Sequence, residues 1–383
     1  MKKRTLPLAC MAFALLLSAC EPLDTSLDVR QAPPTSFTLE EIALLLSELP
    51  IGTEQMGEVA DAVADSRVNG YDEEYRMQDL FRSPGTGVGS EPVRTETRQY
   101  GTPMRTLIED AVRRRSLTRG GGAEGEVEAF LEELAGSDVQ IYWPYSESWN
   151  QKERPVITFD PLDGSDRNTG YTLDGERVFV DEEMARKHPV WVVNCNDDAA
   201  FRTLEVRRRE DPSWGEGGRL IVRSETDVKT WVLRTFLARR NYDTWFAGGS
   251  EFFVKCGAVE DFTASTEAEL ALYSPTVSDF MIVVKRDQVG QILDFNAVLV
   301  SDWTPQLDQV AFLMVEDDGG SQTSWKCSAM VKYNSKSYGF DLQIPLNSRD
   351  DIVWRGQLSR RYIEKYNGLV SHFGDVDLVL ALI

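Results

Sequence analysis

Between residues 227 and 383 the chain is written almost entirely in strand-length runs, which limits what it can fold into there. VKTWVLRTFLA, SEFFVKC, DFMIVVK, FNAVLVS, QVAFLMVE, SAMVKY, YGFDLQI and VDLVLAL follow one another, separated by clusters of Gly, Asn and Asp. β-Branched and aromatic side chains suit a pleated, half-buried surface, and the separating residues are turn formers. Eight such runs predict an antiparallel β-sandwich over 227–383. By spacing, VKTWVLRTFLA could also form a helix; it is read as a strand.

Upstream, the texture differs. Thr38 and Glu41 have capping-box spacing, Ile42, Leu45, Leu46 and Leu49 recur at helical intervals, and Pro50 stops the run. Thr53 is placed to cap a second helix through Met56, Val59, Ala60 and Val63. YDEEYRMQDLF, residues 104–115 and VEAFLEELAG read as further helices. The stretch 83–103 is rich in turn formers, and RGGGAEG reads as a linker. At Asp138 short aromatic and β-branched runs begin (QIYWPY, PVITFD, TGYTL, ERVFV, PVWVVNC), and GRLIVR continues them. The expected fold class is α+β: a mainly helical region over 37–137, a β-rich domain over 138–226, then the sandwich. At 383 residues, two or three domains are expected.

The N-terminus carries an address. Lys2, Lys3 and Arg4 precede an apolar run from Leu6 to Leu17, too short to span a bilayer, and Leu17-Ser18-Ala19-Cys20 closes it. This tetrad resembles the lipobox of bacterial lipoproteins, in which the cysteine thiol is acylated and the preceding peptide removed. The resemblance implies a signal peptide over 1–19, a lipidated Cys20 and a mature chain held to a membrane by its acyl chains. At about 0.8 kcal/mol per buried methylene, several such chains hardly dissociate. Residues 20–36 are polar with a Pro-Pro pair and read as a flexible tether. As a whole, the chain resembles cell-envelope lipoproteins of Bacteroides-type bacteria, which implies an envelope location with the outer membrane favoured.

Charge narrows the partners. The formal net charge is −21, with 62 acidic side chains against 41 basic ones. That balance argues against nucleic acid and anionic headgroups, and leaves room for calcium or magnesium. After Cys20 three cysteines remain, Cys195, Cys256 and Cys327. An envelope compartment permits one disulfide, for which Cys256 and Cys327 are the candidate pair; the expectation is three buried free thiols.

One motif suggests chemistry. Phe159-Asp160-Pro161-Leu162-Asp163-Gly164-Ser165 resembles the metal-binding signature of the fructose-bisphosphatase and inositol-phosphatase superfamily. That resemblance implies Asp160 and Asp163 as magnesium ligands, with Gly164 and Ser165 touching phosphate. The family's upstream acidic pair and downstream Trp-Asp are missing from this chain. Asp160, Asp163 and Asp166 could instead hold calcium, or simply satisfy a turn. A second set of carboxylates falls in the sandwich loops: Asp302, Asp308, Glu316, Asp317, Asp318, Asp350 and Asp351.

The two histidines, His188 and His372, stand in no metal or nucleophile motif, and neither a GxSxG elbow nor a Walker loop occurs. Two aromatic groups, Tyr142, Trp143, Tyr145 and Trp149, then Tyr242, Trp245 and Phe246, fit either a stacking face or core filling. The expectation is a non-catalytic, lipid-anchored protein that presents its sandwich to an envelope protein or glycan. The alternative is a metal-dependent phosphatase or glycosidase built on Asp160 and Asp163.

Overall fold

The computed structural model describes residues 35–82, 95–96, 98–118, 124–196, 201–211 and 229–383. The expected signal peptide with Cys20, the expected tether to residue 34, much of the turn-rich stretch, Gly120 to Gly122 and GRLIVR lie outside them. No described helix is long and apolar enough to cross a membrane.

The helices form where amphipathic spacing and caps coincide. They are α1 (Leu39–Ser47), α2 (Thr53–Val68), a single turn α3 (Met77–Leu80), α4 (Met104–Thr118) and α5 (Glu124–Ala135). Thr38 and Glu41 close the capping box on α1 as the spacing predicts. The N-cap of α2 is Gly52 rather than Thr53: the Gln55 side chain accepts from the Gly52 N–H at 2.9 Å, doing the work that a capping hydroxyl would share. YDEEYRMQDLF is not one helix, because its first half becomes the edge strand β1 (Glu74–Arg76) before α3 begins.

That strand matters, since it joins the helical region to the sheet that follows. The remaining strands of this sheet are β2 (Val139–Tyr142), β3 (Val156–Phe159), β4 (Arg167–Thr172), β5 (Arg177–Asp181) and β6 (Val190–Cys195), in spatial order β1-β2-β6-β3-β4-β5. Only the β3–β6 pair is parallel; the rest are antiparallel. A boundary at 137/138 therefore separates nothing: Ile42, Leu46, Met56, Val63, Ile108 and Leu134 share one core with Ile141, Ile157, Trp191 and Val193. Sequence texture changed there because helix gave way to strand, not because one core gave way to another. Between β5 and β6 lies the short α6 (Glu182–Ala185), and α7 (Leu204–Glu210) leads towards the C-terminal half.

The sandwich is present over the span the strand runs predict. Its first sheet holds β7 (Lys229–Ala238), β10 (Leu293–Trp303), β15 (Val370–Phe373) and β16 (Val376–Leu382), ordered β10-β7-β16-β15. The second holds β8 (Ser250–Ala258), β9 (Thr276–Val284), β11 (Leu307–Glu316), β12 (Gln322–Tyr333), β13 (Lys336–Asn347) and β14 (Asp351–Ser359), with α8 (Arg360–Lys365) following. VKTWVLRTFLA is a strand, β7. Trp231, Leu233, Phe236, Leu299 and Leu378 from the first sheet meet Phe252, Val254, Phe280, Phe312 and Met314 from the second. Each such side chain, fully buried, contributes roughly 1.5–3 kcal/mol.

Alternation assigns the other face of the second sheet to a separate core. Phe253, Met281, Ala311, Leu313 and Val315 pack beneath the β12–β13 hairpin, against Ala329, Val331, Leu342 and Ile344. This is why β8 is buried at every position, unlike a strand with one wet face. It also rules out the candidate disulfide in favour of free thiols. Cys256 sits in the core between the sheets, while Cys327 belongs to the core beneath the hairpin, on the opposite face. Both are thiols. Burial pushes the Cys327 thiol up to about 11 and the Cys256 thiol further in the same direction.

Two measurable consequences follow from this arrangement. Without reductant, both cysteines should react with iodoacetamide in denaturant, and Cys256 should stay unlabelled in the native protein; recovery of a peptide linking Cys256 to Cys327 would overturn the assignment. Phe252→Ala, at a fully buried ring, should lower unfolding free energy by about 3–5 kcal/mol in urea titrations.

Candidate functional site

The segment 239–249, between β7 and β8, is where the two halves of the molecule meet. Trp245 and Phe246 leave the sandwich and pack on the face of the N-terminal sheet opposite the core shared with α1–α5, against Tyr142, Val180, Val190 and Val192 and Ala185 of α6. Trp245 Nε1 donates to the Asp166 carbonyl at 2.9 Å, and Asn194 Nδ2 donates to the carbonyls of Phe246 and Ala247. Gly248 and Gly249 then bring the chain against Asp72, whose carboxylate accepts the Gly249 N–H at 2.7 Å. Gly248 has φ +133°, and a Cβ on it would stand 2.7 Å from Asp72 Oδ2.

This seam is ionic and partly buried. Asp72 and Glu73 are both buried, in the turn between α2 and β1. Burial raises the proton affinity of each, and Asp72 adds to it at Glu73; Arg67, 2.8 Å from Glu73 Oε1, works in the opposite direction. Lys285 and Arg286, at the end of β9, counter the charge on Asp72. The Arg286 guanidinium donates to the carbonyls of Asp243 and Gly248 and lies 3.3 Å from Glu182, which also accepts from Tyr145 Oη at 2.6 Å. Tyr142 Oη is fully buried here, and burial followed by the two acids holds its proton in place.

Beside the seam, Asp243, Glu251 and Glu316 each offer a carboxylate oxygen within 4.8 Å of the others, a grouping that could take a hard cation. All three also interact with other groups of the chain. Of these residues the sequence reading singled out only Glu316. Asp243 and Glu251 carried a signal that pattern reading can use: a charge at the head of an otherwise apolar strand run, EFFVKC, and another within the NYDTWF segment before it.

The DPLDGSD loop serves a different purpose. Asp160 is buried and its Oδ1 accepts the Leu162 N–H at 2.8 Å; Asp163 Oδ1 accepts the Ser165 N–H at 2.9 Å and is thereby held below the usual carboxylate range. Asp166 supplies a carbonyl to Trp245. These are turn-forming bonds, and the three aspartates do not form a ligand group of the kind that Asp243, Glu251 and Glu316 form among the described residues. The loop, with Leu39 and Cys195, walls a cavity of about 340 Å³ beside α1. His188 pairs with Glu153 at 3.6 Å, and His372 with Asp377 at 2.7 Å, both at the surface. Tyr142, Trp143, Trp245 and Phe246 are buried, which makes the aromatic groups mainly core.

A second acidic pair lies at the same end of the second sheet as Glu251 and Glu316, where the Asp317 N–H donates to the Glu251 carbonyl at 3.0 Å. Asp317 Oδ1 accepts from Gly319 N–H and Asn347 Nδ2, while Asp350 Oδ2 accepts from Asn347 N–H at 2.8 Å. Burial, then the neighbouring Asp317 carboxylate, pushes Asp350 up to about 7, against the lowering effect of the Asn347 N–H.

An acid whose folded-state affinity for a proton is raised stabilises the fold below its unfolded pKa and loses that contribution as pH rises. Asp350 should therefore make the protein progressively less stable from about pH 4 to pH 7, and Asp350→Asn should remove that decline, so that the variant's urea midpoints change less with pH across the window than those of the wild type. At the seam, Gly248→Ala should cost about 1–3 kcal/mol by overpacking against Asp72, and thermal melts should show it. No family model, curated protein or solved structure matches this chain.

Proposed function

We propose that this chain is a lipid-anchored protein of the bacterial cell envelope that binds a partner through its β-sandwich and performs no chemistry itself. The anchor reading rests on Leu17-Ser18-Ala19-Cys20 behind a basic and then apolar segment, and the outer membrane is the favoured address. Acyl chains at Cys20 hold the body at the bilayer, and the net charge of −21 keeps it off anionic headgroups.

The observation that carries the binding reading is the β12–β13 hairpin. Its twelve-residue strands run well past the stretch that pairs with β11, which ends at Met330, and form a partly solvated ribbon over the sandwich. Long solvated ribbons of this kind are available to partners in a way that packed sheet faces are not. The buried aromatic groups leave fewer rings for stacking on sugar, which favours a protein over a glycan. The aspartates of the DPLDGSD loop are occupied by their own turn, which speaks for binding over metal-dependent hydrolysis.

Two measurements test this reading. In a bacterial host the wild type should fractionate with membranes and begin at a diacylglyceryl-modified Cys20 by mass spectrometry, and Cys20→Ser should move it to the soluble fraction. A different N-terminal residue, or no lipid, would overturn the anchor. A photo-reactive residue at position 343 on β13 should cross-link an envelope partner, while one at position 234 on β7 should not; equal cross-linking from both would remove the hairpin as the binding element.

A further inference from the structure

The hairpin's geometry says more about what it would bind. Asn334 and Ser335 form its two-residue loop, both with positive φ (47° and 63°), and Tyr333 pairs with Lys336. In such a loop the flanking residues exchange both backbone hydrogen bonds, and bonded pairs then recur at every second residue. Residues 333, 331, 329, 327, 325 and 323 therefore turn their N–H and C=O groups towards β13. The even-numbered residues turn theirs to the opposite edge. Two contacts agree with this: Lys332 N–H donates to the Gln306 carbonyl, and the Ser328 carbonyl accepts from Gln357 Nε2 at 2.8 Å.

Beyond Met330, which is in register with Gln309 of β11, no described strand pairs with this outer edge. Gln309 is also in register with Ser359 of β14, which stays paired with β11 from there to Glu316, so β12 leaves β11 where the β14 pairing begins. Leu342 of β13 stands over Gly257 of β8, while Ser328 of β12 stands beside Gln357 of β14. The outer edge of β12 thus opens on the β14 side, into a cleft of about 630 Å³ lined by Lys326, Ser328 and Gln357 among others.

Resting on the reading of this chain as a binding protein, we propose that the β12 edge from Gln322 to Ser328 accepts an extended peptide segment of a partner protein, adding it as a further strand. Backbone groups pointing into open space in strand geometry are recognised by another backbone in the same geometry. Seven residues of edge would take up about 24 Å of extended chain at roughly 3.4 Å per residue. The edge is set into a cleft beside β14, and a second folded copy would have to bring its own hairpin and β14 into the same space; a single peptide strand does not. Lys326 has no ion pair among the described residues, so an acidic side chain opposite it would be favoured.

The test is a random peptide-display selection on the full chain in detergent, followed by titration of the enriched peptides. Lys326→Pro removes an outward N–H while leaving the bonds to β13, so it should weaken binding by about tenfold or more; Lys326→Ala keeps the N–H and should weaken it far less. Ser324→Pro gives the same reading if Lys326→Pro does not fold. Amide exchange at Ser324, Lys326 and Ser328 should be fast in the free chain and slowed by peptide. Slow exchange in the free chain, failure to enrich any peptide, indifference to both proline variants, or proline-sensitive dimerisation of the chain alone would each overturn strand addition. A cross-link from position 343 that persists in Lys326→Pro would sink this proposal while leaving the binding reading standing.

Discussion

The carboxylate of Asp72 holds the two halves of the molecule in one arrangement. It is 5 % exposed, and moving an ionised carboxylate out of water costs several kcal/mol unless its new surroundings replace the lost solvation. Those replacements come from across the seam: the Gly249 N–H from the head of β8, and the charges of Lys285 and Arg286 from the end of β9. Undocked, the α2–β1 turn would keep its acids in water and the glycine pair would have no partner. Docked, Asp72 Oδ2 meets the Gly249 N–H in one register only. Two adjacent glycines are needed because side chains there would occupy the space of Asp72 Oδ2 and the Val284 carbonyl. The hydrophobic half of the same joint is Trp245 and Phe246, seated on the outer face of the N-terminal sheet.

The second sheet of the sandwich follows the same economy of two-sided burial. β8 and β11 feed one core with Phe252, Val254, Phe312 and Met314, and another with Phe253, Leu313 and Val315. A central strand covered on both faces loses the apolar-polar alternation that marks a strand with one wet face. Covering the outer face demands the hairpin, whose inner side carries Val331, Leu342 and Ile344. With one face of each on the core and one edge of each on the other, β12 and β13 leave the outer edge of β12 beyond Met330 without a partner strand among the described residues. The surface proposed for partners is in this sense a by-product of closing the second core.

The titratable groups divide by position. Asp72 and Glu73 in the seam, with Asp350 at the strand ends, all hold protons more tightly than in water, and in each case burial is the largest cause. Asp163, exposed and bonded within its own turn, goes the other way. An aspartate-rich motif is legible in sequence as a string of ligands. Whether its oxygens converge on a cation or on nearby backbone N–H groups depends on chain direction over six residues, and here Asp160 and Asp163 accept from Leu162 and Ser165.

Local patterning by itself determined the β-rich C-terminal half, the capped helix α1, the helices α4 and α5, and the acidic charge, because each depends on spacing or composition within a dozen residues. It also supplied the Cys20 tetrad, on which the proposed anchor rests. Tertiary structure alone decided that the helices and the N-terminal sheet share a core, since β1 enters that sheet from a segment whose spacing looks helical. It put Cys256 and Cys327 on opposite faces of one sheet, which alternation forbids them to bridge. It brought Glu251 and Glu316 to Asp243, and Asp72 to Gly249 across 177 residues of chain. Such meetings are set by strand register and domain docking, and neither leaves a mark on the spacing of the residues that meet.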